Sequence, residues 1–270
     1  SFPTRRSSDL TEFLIGEKVG AVGYVIFNNP ERHNAVKLAM WDAIPTVIEA
    51  FEADDDIKVI VLKGAGEKSF VSGADISEFE EVRSTPESTK NYENAADGGM
   101  LRISKCSKPT IAMINGYCIG GGAGIAVACD IRMASDKSKF GIPAVKLGLG
   151  YRVAGIAKLV DLVGPSFAKE IFYTARTFDA QEAITMGLIN RVFTPEDLQA
   201  GVDDYCSRIA ENAPMTINSV KQMVAQITRK DGPIDFDYCE QLVDDCFASE
   251  DYVEGRTAFM EKRKPVFKGR

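Results

Sequence analysis

The stretch from Ile111 to Asp130 constrains this chain more than any other. A fully apolar strand, Ile111–Ile114, leads into Gly120-Gly121-Gly122 and then into a small-residue helix through Ala128. A strand that turns sharply into a helix leaves the first helical N–H groups without intrahelical acceptors, so they can hold developing negative charge. Glycine at such a start lets a ligand approach the main chain without meeting a Cβ. The stretch marks a place for an oxyanion, and it carries no acid or base before Asp130.

The rest of the chain repeats the strand–loop–helix alternation. Val19 to Asn28 reads as a strand closed by Asn29-Pro30. Lys37 to Ala53 has Leu38, Trp41, Ile44, Val47, Ile48 and Phe51 at helical spacing, with Pro45 expected to kink the helix or shift its start. Ile57–Leu62 is a short strand, and Gly64 opens a loop that continues to Asp75. Thr85-Pro86 has the cap and first-turn proline of a helix reaching towards Lys105, with Gly98-Gly99 as its weak point. Asp130–Ala134 is the next strand. With no hairpin signal, this alternation predicts parallel βαβ units in an α/β fold. Beyond Leu159 helices dominate: 167–173, 180–186, 198–212, 216–230, 236–249 and 253–264, with Leu188–Val192 as the one late strand.

A chain of 270 residues can hold one large α/β core of about 190 residues plus a helical region. The reading is an α/β core over 11–195 and a helical region over 196–270. Residues 1–10 read as the in-frame translation of a sequencing adapter, which leaves the native N-terminus outside the sequence. A formal net charge of −7 argues against nucleic acid as a partner. No apolar run approaches the roughly 20 residues that span a bilayer. Six cysteines without metal-like or CxxC spacing point to reduced thiols and a cytoplasmic protein. The single histidine, His33, rules out a His-rich metal site and leaves only itself for a catalytic triad. It sits in the turn Pro30–Asn34, near a ligand entrance.

The glycines do not fit a dinucleotide fingerprint, and no GK[ST] follows them. They acquire meaning from a second site of the same kind. Ser72-Gly73-Ala74-Asp75-Ile76 also follows a strand and leads into a helix. Two such loops, each offering one N–H, can clamp a single carbonyl oxygen and stabilise an enolate or tetrahedral oxyanion.

Asn28, Pro30, Asn34-Ala35, Ser72–Asp75, Asn115-Gly116-Tyr117 with Gly120–Gly122, and Asp130 together resemble the enoyl-CoA hydratase/isomerase (crotonase) family. So do Phe140-Gly141, Phe178–Ala183, Met186–Asn190 and Glu254–Arg263, over essentially residues 11–270. The resemblance implies a crotonase (ClpP-like) fold, a stacked ββα spiral core with a C-terminal helical region that builds a homo-trimer or a dimer of trimers. It implies an acyl-CoA substrate with no permanently bound cofactor, coenzyme A entering as part of the thioester. Ala74 and Gly121 would be the oxyanion-hole donors. Ala74, Asp75, Ile76 and Ser77 would line the coenzyme, and Arg32 would meet its phosphates. Phe259 and Lys262 match positions that reach the adenine end, in some members from a neighbouring subunit.

The chain departs from the family at the chemistry. Hydratases of this family use two glutamates, one to activate water and one to handle the proton at the α-carbon. The matching positions here are Gly124 and Ala144, and neither can transfer a proton. Some members with a small residue at the second position hold a bicarbonate as base, but Ile142 and Pro143 offer it no polar side chain. Tyr151 and Arg152 are the nearest polar candidates, a tyrosine to polarise an enolate or carboxylate and an arginine to orient one. Glu78, Glu81 and Tyr92 are reserves. The expectation is an acyl-CoA enzyme that works through a thioester enolate, hydrates poorly, and performs decarboxylation or other carbon–carbon chemistry. The alternative is a non-catalytic acyl-CoA-binding or oligomer-scaffold protein. A hydrolase would need a base that the sequence does not offer.

Overall fold

The computed structural model describes residues 11–78 and 84–270. The adapter-like segment 1–10 and Glu81 lie outside the described residues.

Strands β1 (Leu14–Val19), β2 (Val22–Phe27), β3 (Val59–Gly64), β5 (Thr110–Ile114), β7 (Ile131–Ser135) and β10 (Arg191–Phe193) form a first sheet in the order β1-β2-β3-β5-β7-β10. From β2 onward its neighbours run parallel. A second sheet contains β4 (Ser69–Val71), β6 (Tyr117–Ile119), β8 (Lys139–Gly141) and β9 (Phe178–Asp179) in that order. The nine α-helices of the described residues are α1 (Leu38–Glu52), α2 (Pro86–Ser104), α3 (Gly121–Ala128), α4 (Val153–Thr174), α5 (Ala180–Thr185), α6 (Pro195–Ala210), α7 (Pro214–Thr228), α8 (Phe236–Ala248) and α9 (Glu250–Glu261).

The repeating unit is ββα rather than βαβ. β3 and β4, β5 and β6, and β7 and β8 each send one strand to each sheet before α2, α3 and α4 follow. The second strand of each pair is only three residues long, which is why these segments read as loop. The expectation of no hairpin is corrected too. β1 pairs antiparallel with β2 through a turn at Gly20-Ala21, where Gly20 has φ +58. A glycine at the first central position is what a two-residue hairpin turn needs. β1 is an edge strand, mostly exposed, so it lacks the apolar run that marks its neighbours.

Both faces of the first sheet are covered. Ile60, Leu62, Ala112 and Ile114 point into the main core, while Val59, Val61, Ile111 and Met133 pack under Leu198, Val202 and Cys206 of α6. Two-sided burial explains the continuous apolar runs of β3 and β5. α1 runs unbroken through Pro45, so its start is not shifted. Thr85 caps α2 as expected, with Pro86 in its first turn. Gly98-Gly99 does not break α2. A Cβ on Gly99 would lie 3.2 Å from the Trp41 ring, so glycine here sets how closely α2 lies on α1. Gly164, at φ +75 and ahead of Pro165, divides α4 into two helical segments.

Candidate active site

The Ala74 loop is held from the turn at 29–36. Asn34, in the left-handed region at φ +56, sends its amide to Ala65 O at 2.9 Å and Ser69 O at 2.8 Å and accepts from Asn29 N at 3.1 Å. The chain beyond it then bridges the loop: Val36 N donates to Gly73 O at 2.8 Å, and Asp75 N donates to Val36 O at 2.9 Å. Both flanking peptides of Ala74 face Val36, so the Ala74 N–H points the opposite way. Asp75 is buried and locks the loop from within, its Oδ1 accepting from Ser77 N at 3.0 Å and Ser77 Oγ at 2.6 Å. Burial opposes its ionisation, but the Ser77 hydrogen bonds and the nearby Lys37 charge outweigh this and hold its pKa below the usual carboxylate value.

Opposite this loop stands the start of α3, where each glycine of the triplet does something different. Gly120 is the N-cap at φ 54, ψ −114, a conformation closed to side-chain-bearing residues. A Cβ on Gly122 would fall 2.2 Å from Val71 O, so this position must be bare for α3 to lie on β4. Gly121 has ordinary room, its nearest neighbours being the Trp41 ring at 3.4 Å and Gly73 C at 3.9 Å. Among the described residues neither Ala74 N nor Gly121 N meets a hydrogen-bond acceptor. Both border one cleft of about 290 Å³.

The cleft also takes in Ile76, Trp41, Ile119, Ala144, Tyr151 and Arg152. Trp41 Nε1 donates to Tyr92 Oη at 3.0 Å, which fixes the indole beside Gly121. Tyr151 packs edge-on against Phe172 at 4.9 Å. Ala144 is buried at the start of a 3₁₀ turn, Ala144–Leu147. Gly124 is set back from the cleft, and a Cβ there would meet Met100 Sδ at 2.7 Å. The methionine thioether therefore fills the space that a side chain at 124 would take.

Other residues singled out from the sequence sit elsewhere. Arg32 is exposed, and its carbonyl accepts from Ser72 Oγ at 3.3 Å, which places it beside the Ala74 loop. Phe259 is 82% exposed on α9 and Lys262 caps that helix. Neither lines the cleft of this chain. Glu78 is spent on structure, accepting from Leu38 N at 3.1 Å and pairing with Lys37 at 3.7 Å. Tyr92, by contrast, does border the cleft, but it is buried and its hydroxyl donates to Val36 O at 3.4 Å. His33 Nδ1 lies 3.4 Å from Ser69 Oγ, outside the cleft.

Sequence reasoning missed Glu93, Asp97 and Met100, all in the cleft wall on α2. Arg152 reaches across to the two acids, Nη2 to Glu93 Oε2 at 2.8 Å and Nη1 to Asp97 Oδ2 at 2.9 Å. These carboxylates raise its pKa further, against the cost of desolvation. Positions 93, 96, 97 and 100 follow helical spacing and could have been read as one face. No group of three or more His, Cys, Asp or Glu side chains among the described residues is arranged to hold a metal ion.

Two sheets stacked through ββα units, with the Ala74 and Gly121 main chain bordering one cleft, define the class of protein as α/β. The chain belongs to the enoyl-CoA hydratase/isomerase family, whose family model matches residues 17–270, and its fold is the crotonase fold. A short-chain-enoyl-CoA hydratase from Clostridium acetobutylicum is 37% identical over 251 residues, covering 93% of this chain and 95% of the relative. The crystal structure of an enoyl-CoA hydratase/carnithine racemase from Magnetospirillum magneticum superimposes with a TM-score of 0.90 at 35% identity, covering 96% of this chain and 97% of the other. A putative enoyl-CoA hydratase/isomerase family protein from Hyphomonas neptunium gives 0.91 at 32% identity, covering 97% and 100%.

Proposed function

We propose that this protein processes acyl-CoA thioesters through an enolate whose oxygen sits between the N–H groups of Ala74 and Gly121, and that its reaction is a carbon–carbon step such as decarboxylation rather than hydration. The observation that carries this reading is a pair of N–H donors, unpartnered among the described residues, in one cleft, while Met100 fills the space of a side chain at 124 behind it and Ala144 has no proton to give. Two preorganised donors on an enolate oxygen supply several kcal/mol of stabilisation. Loss of a positioned acid or base costs about 10²–10⁴-fold, which falls on hydration. A departing CO₂ leaves its electron pair on the α-carbon, and the enolate forms without a base to remove a proton.

Ala74, Asp75, Ile76 and Ser77 would follow the coenzyme out of the cleft, Arg32 would stand near its phosphates, and Phe259 and Lys262 would serve the adenine end. Val220, Val224, Ile227, Phe247 and Val253 are exposed on α7 to α9. Their apolar surface supports a trimer or a dimer of trimers formed through 196–270. Six unpaired thiols support a reducing, cytoplasmic setting.

The test is turnover of crotonyl-CoA beside malonyl-type CoA esters. Cleavage of the latter with slow hydration supports the proposal, and crotonyl-CoA turnover at ordinary hydratase rates overturns it. The second reading, an acyl-CoA-binding or scaffold protein, is favoured by the same two bare positions, 124 and 144. Calorimetry with product analysis separates the two: tight acyl-CoA binding without any product would establish the scaffold.

A further inference from the structure

Arg132, near the start of β7, is only 3% exposed. A buried charge is ordinarily paired with an opposite charge, yet among the described residues no carboxylate pairs with this guanidinium. It donates to carbonyl oxygens alone. Nε meets Leu188 O at 2.7 Å, and Nη1 meets Cys129 O at 2.7 Å and Ala126 O at 3.5 Å. Nη2 reaches Asp130 O at 3.5 Å and Asn190 Oδ1 at 3.4 Å. The adjacent acid, Asp130, directs Oδ2 to Lys221 Nζ at 2.7 Å and to Thr110. Lys158 of α4 is half-buried within reach of the same charges. The cluster thus holds more positive charge than negative. Burial pulls the Arg132 pKa down, but an arginine keeps its charge in a protein.

Cys129 is the C-cap of α3, and Ala126 lies in its last turn. The negative end of the helix dipole therefore rests on Arg132, while the positive end is Gly121 N–H at the cleft. Eight residues at about 1.5 Å each put the two ends roughly 12 Å apart. Gly122, Ala123, Ile125, Ala126 and Ala128 between them are buried, so the field along the helix is weakly screened.

We propose that Arg132 is a positioning residue that acts through α3: it locks the C-terminal end of the helix, and its charge without a carboxylate partner is the counter-charge for an oxyanion at the other end. This deepens the enolate reading and rests on it. A unit charge roughly 12–15 Å away, at an effective dielectric near 20, alters the rate by about five- to tenfold. Asn190→Asp isolates that charge. Asn190 Oδ1 already accepts from Arg132 N at 2.9 Å and from Nη2, and a carboxylate keeps both bonds while neutralising the guanidinium. Position 190 is exposed, so the new acid stays ionised at neutral pH.

The test uses the full chain with carbonyl-¹³C-labelled butyryl-CoA, read by difference infrared spectroscopy, beside malonyl-CoA decarboxylation and urea unfolding. Asn190→Asp should keep or gain stability, yet its bound carbonyl stretch should move part of the way back towards the free thioester. Its kcat should fall about fivefold with KM nearly unchanged. Arg132→Lys, which loses the planar fork but keeps the charge, should lose stability and hold the carbonyl stretch near that of the unaltered protein. The infrared reading decides the inference even if malonyl-CoA is left intact, and Asn190→Asp decides it even if Arg132→Lys does not fold. An unaltered stretch in folded Asn190→Asp would make Arg132 purely structural and overturn the inference, leaving the enolate reading standing. A bound carbonyl that vibrates as in water in the unaltered protein overturns both.

Discussion

Gly121→Ala and Gly122→Ala change neighbouring residues of one triplet by the same methyl group, yet they should fail in opposite ways. At 122 the new Cβ falls 2.2 Å from Val71 O and 2.9 Å from Val71 C. Both obstacles are backbone, so no rotamer change relieves them and α3 must lift from β4. Overpacking costs about 1–3 kcal/mol, and a clash with fixed backbone belongs at or above the top of that range. At 121 the Cβ meets the Trp41 ring at 3.4 Å and Gly73 C at 3.9 Å, which is ordinary contact. Replacing a helical glycine gains up to about 0.5–1 kcal/mol, less in a first turn, so stability should hold or rise slightly. The methyl then stands in the neck between the two donor loops, where the thioester oxygen must enter. Acyl-CoA affinity should fall at least about tenfold, or ~1.4 kcal/mol. Urea unfolding gives the first quantity and titration calorimetry with butyryl-CoA the second. Equal destabilisation by both variants, or full affinity in Gly121→Ala, would refute the division of labour among these glycines.

Restoring both carboxylates with room for them, as Gly124→Glu, Met100→Ala and Ala144→Glu together, should raise crotonyl-CoA hydration by about 10²–10⁴-fold, followed by loss of enoyl absorbance. Gly124→Glu alone should gain little, because Met100 Sδ stands 2.7 Å from its Cβ. Asp75→Asn should destabilise the protein near neutral pH. Because the folded pKa of Asp75 lies below its unfolded value, the contribution is present above about pH 4 and fades as pH falls through the folded pKa. Melting temperatures of the two proteins should therefore converge in acid. Lys221 Nζ holds Asp130 Oδ2 at 2.7 Å and Lys108 O at 2.9 Å from a side chain only 11% exposed. Lys221→Met should cost about 1–3 kcal/mol by removing the cation from Lys108 O and from Asp130 Oδ2, which keeps only its hydrogen bonds from Thr110 N and Oγ1, with proteolysis rising first at α7.

Elements with a one-dimensional signature were readable from the sequence. The apolar runs of β3 and β5 are buried on both faces, and the Thr85-Pro86 cap marks α2 locally. The short strands β4, β6 and β8 exist through tertiary pairing, so no periodicity over three residues announces them. The donor loops at Ala74 and Gly121 stood out because glycine spacing survives in one dimension, whereas the bond from Val36 that turns the Ala74 N–H outward does not. Arg152 was legible as a polar residue next to Ala144. Its partners were not, since Glu93 and Asp97 are more than fifty residues away in sequence. The occupation of Gly124's space by Met100 was equally invisible before α2 lay on α3.

The central claim is that one thioester oxygen accepts from both Ala74 N–H and Gly121 N–H. Difference infrared spectroscopy of a carbonyl-¹³C-labelled acyl-CoA bound to the protein reads that contact directly. The bound carbonyl stretch should fall below that of the free thioester, and it should return towards the free value in Gly121→Ala. A bound carbonyl that vibrates as it does in water, with the ligand fully occupying the site, would contradict the oxyanion hole.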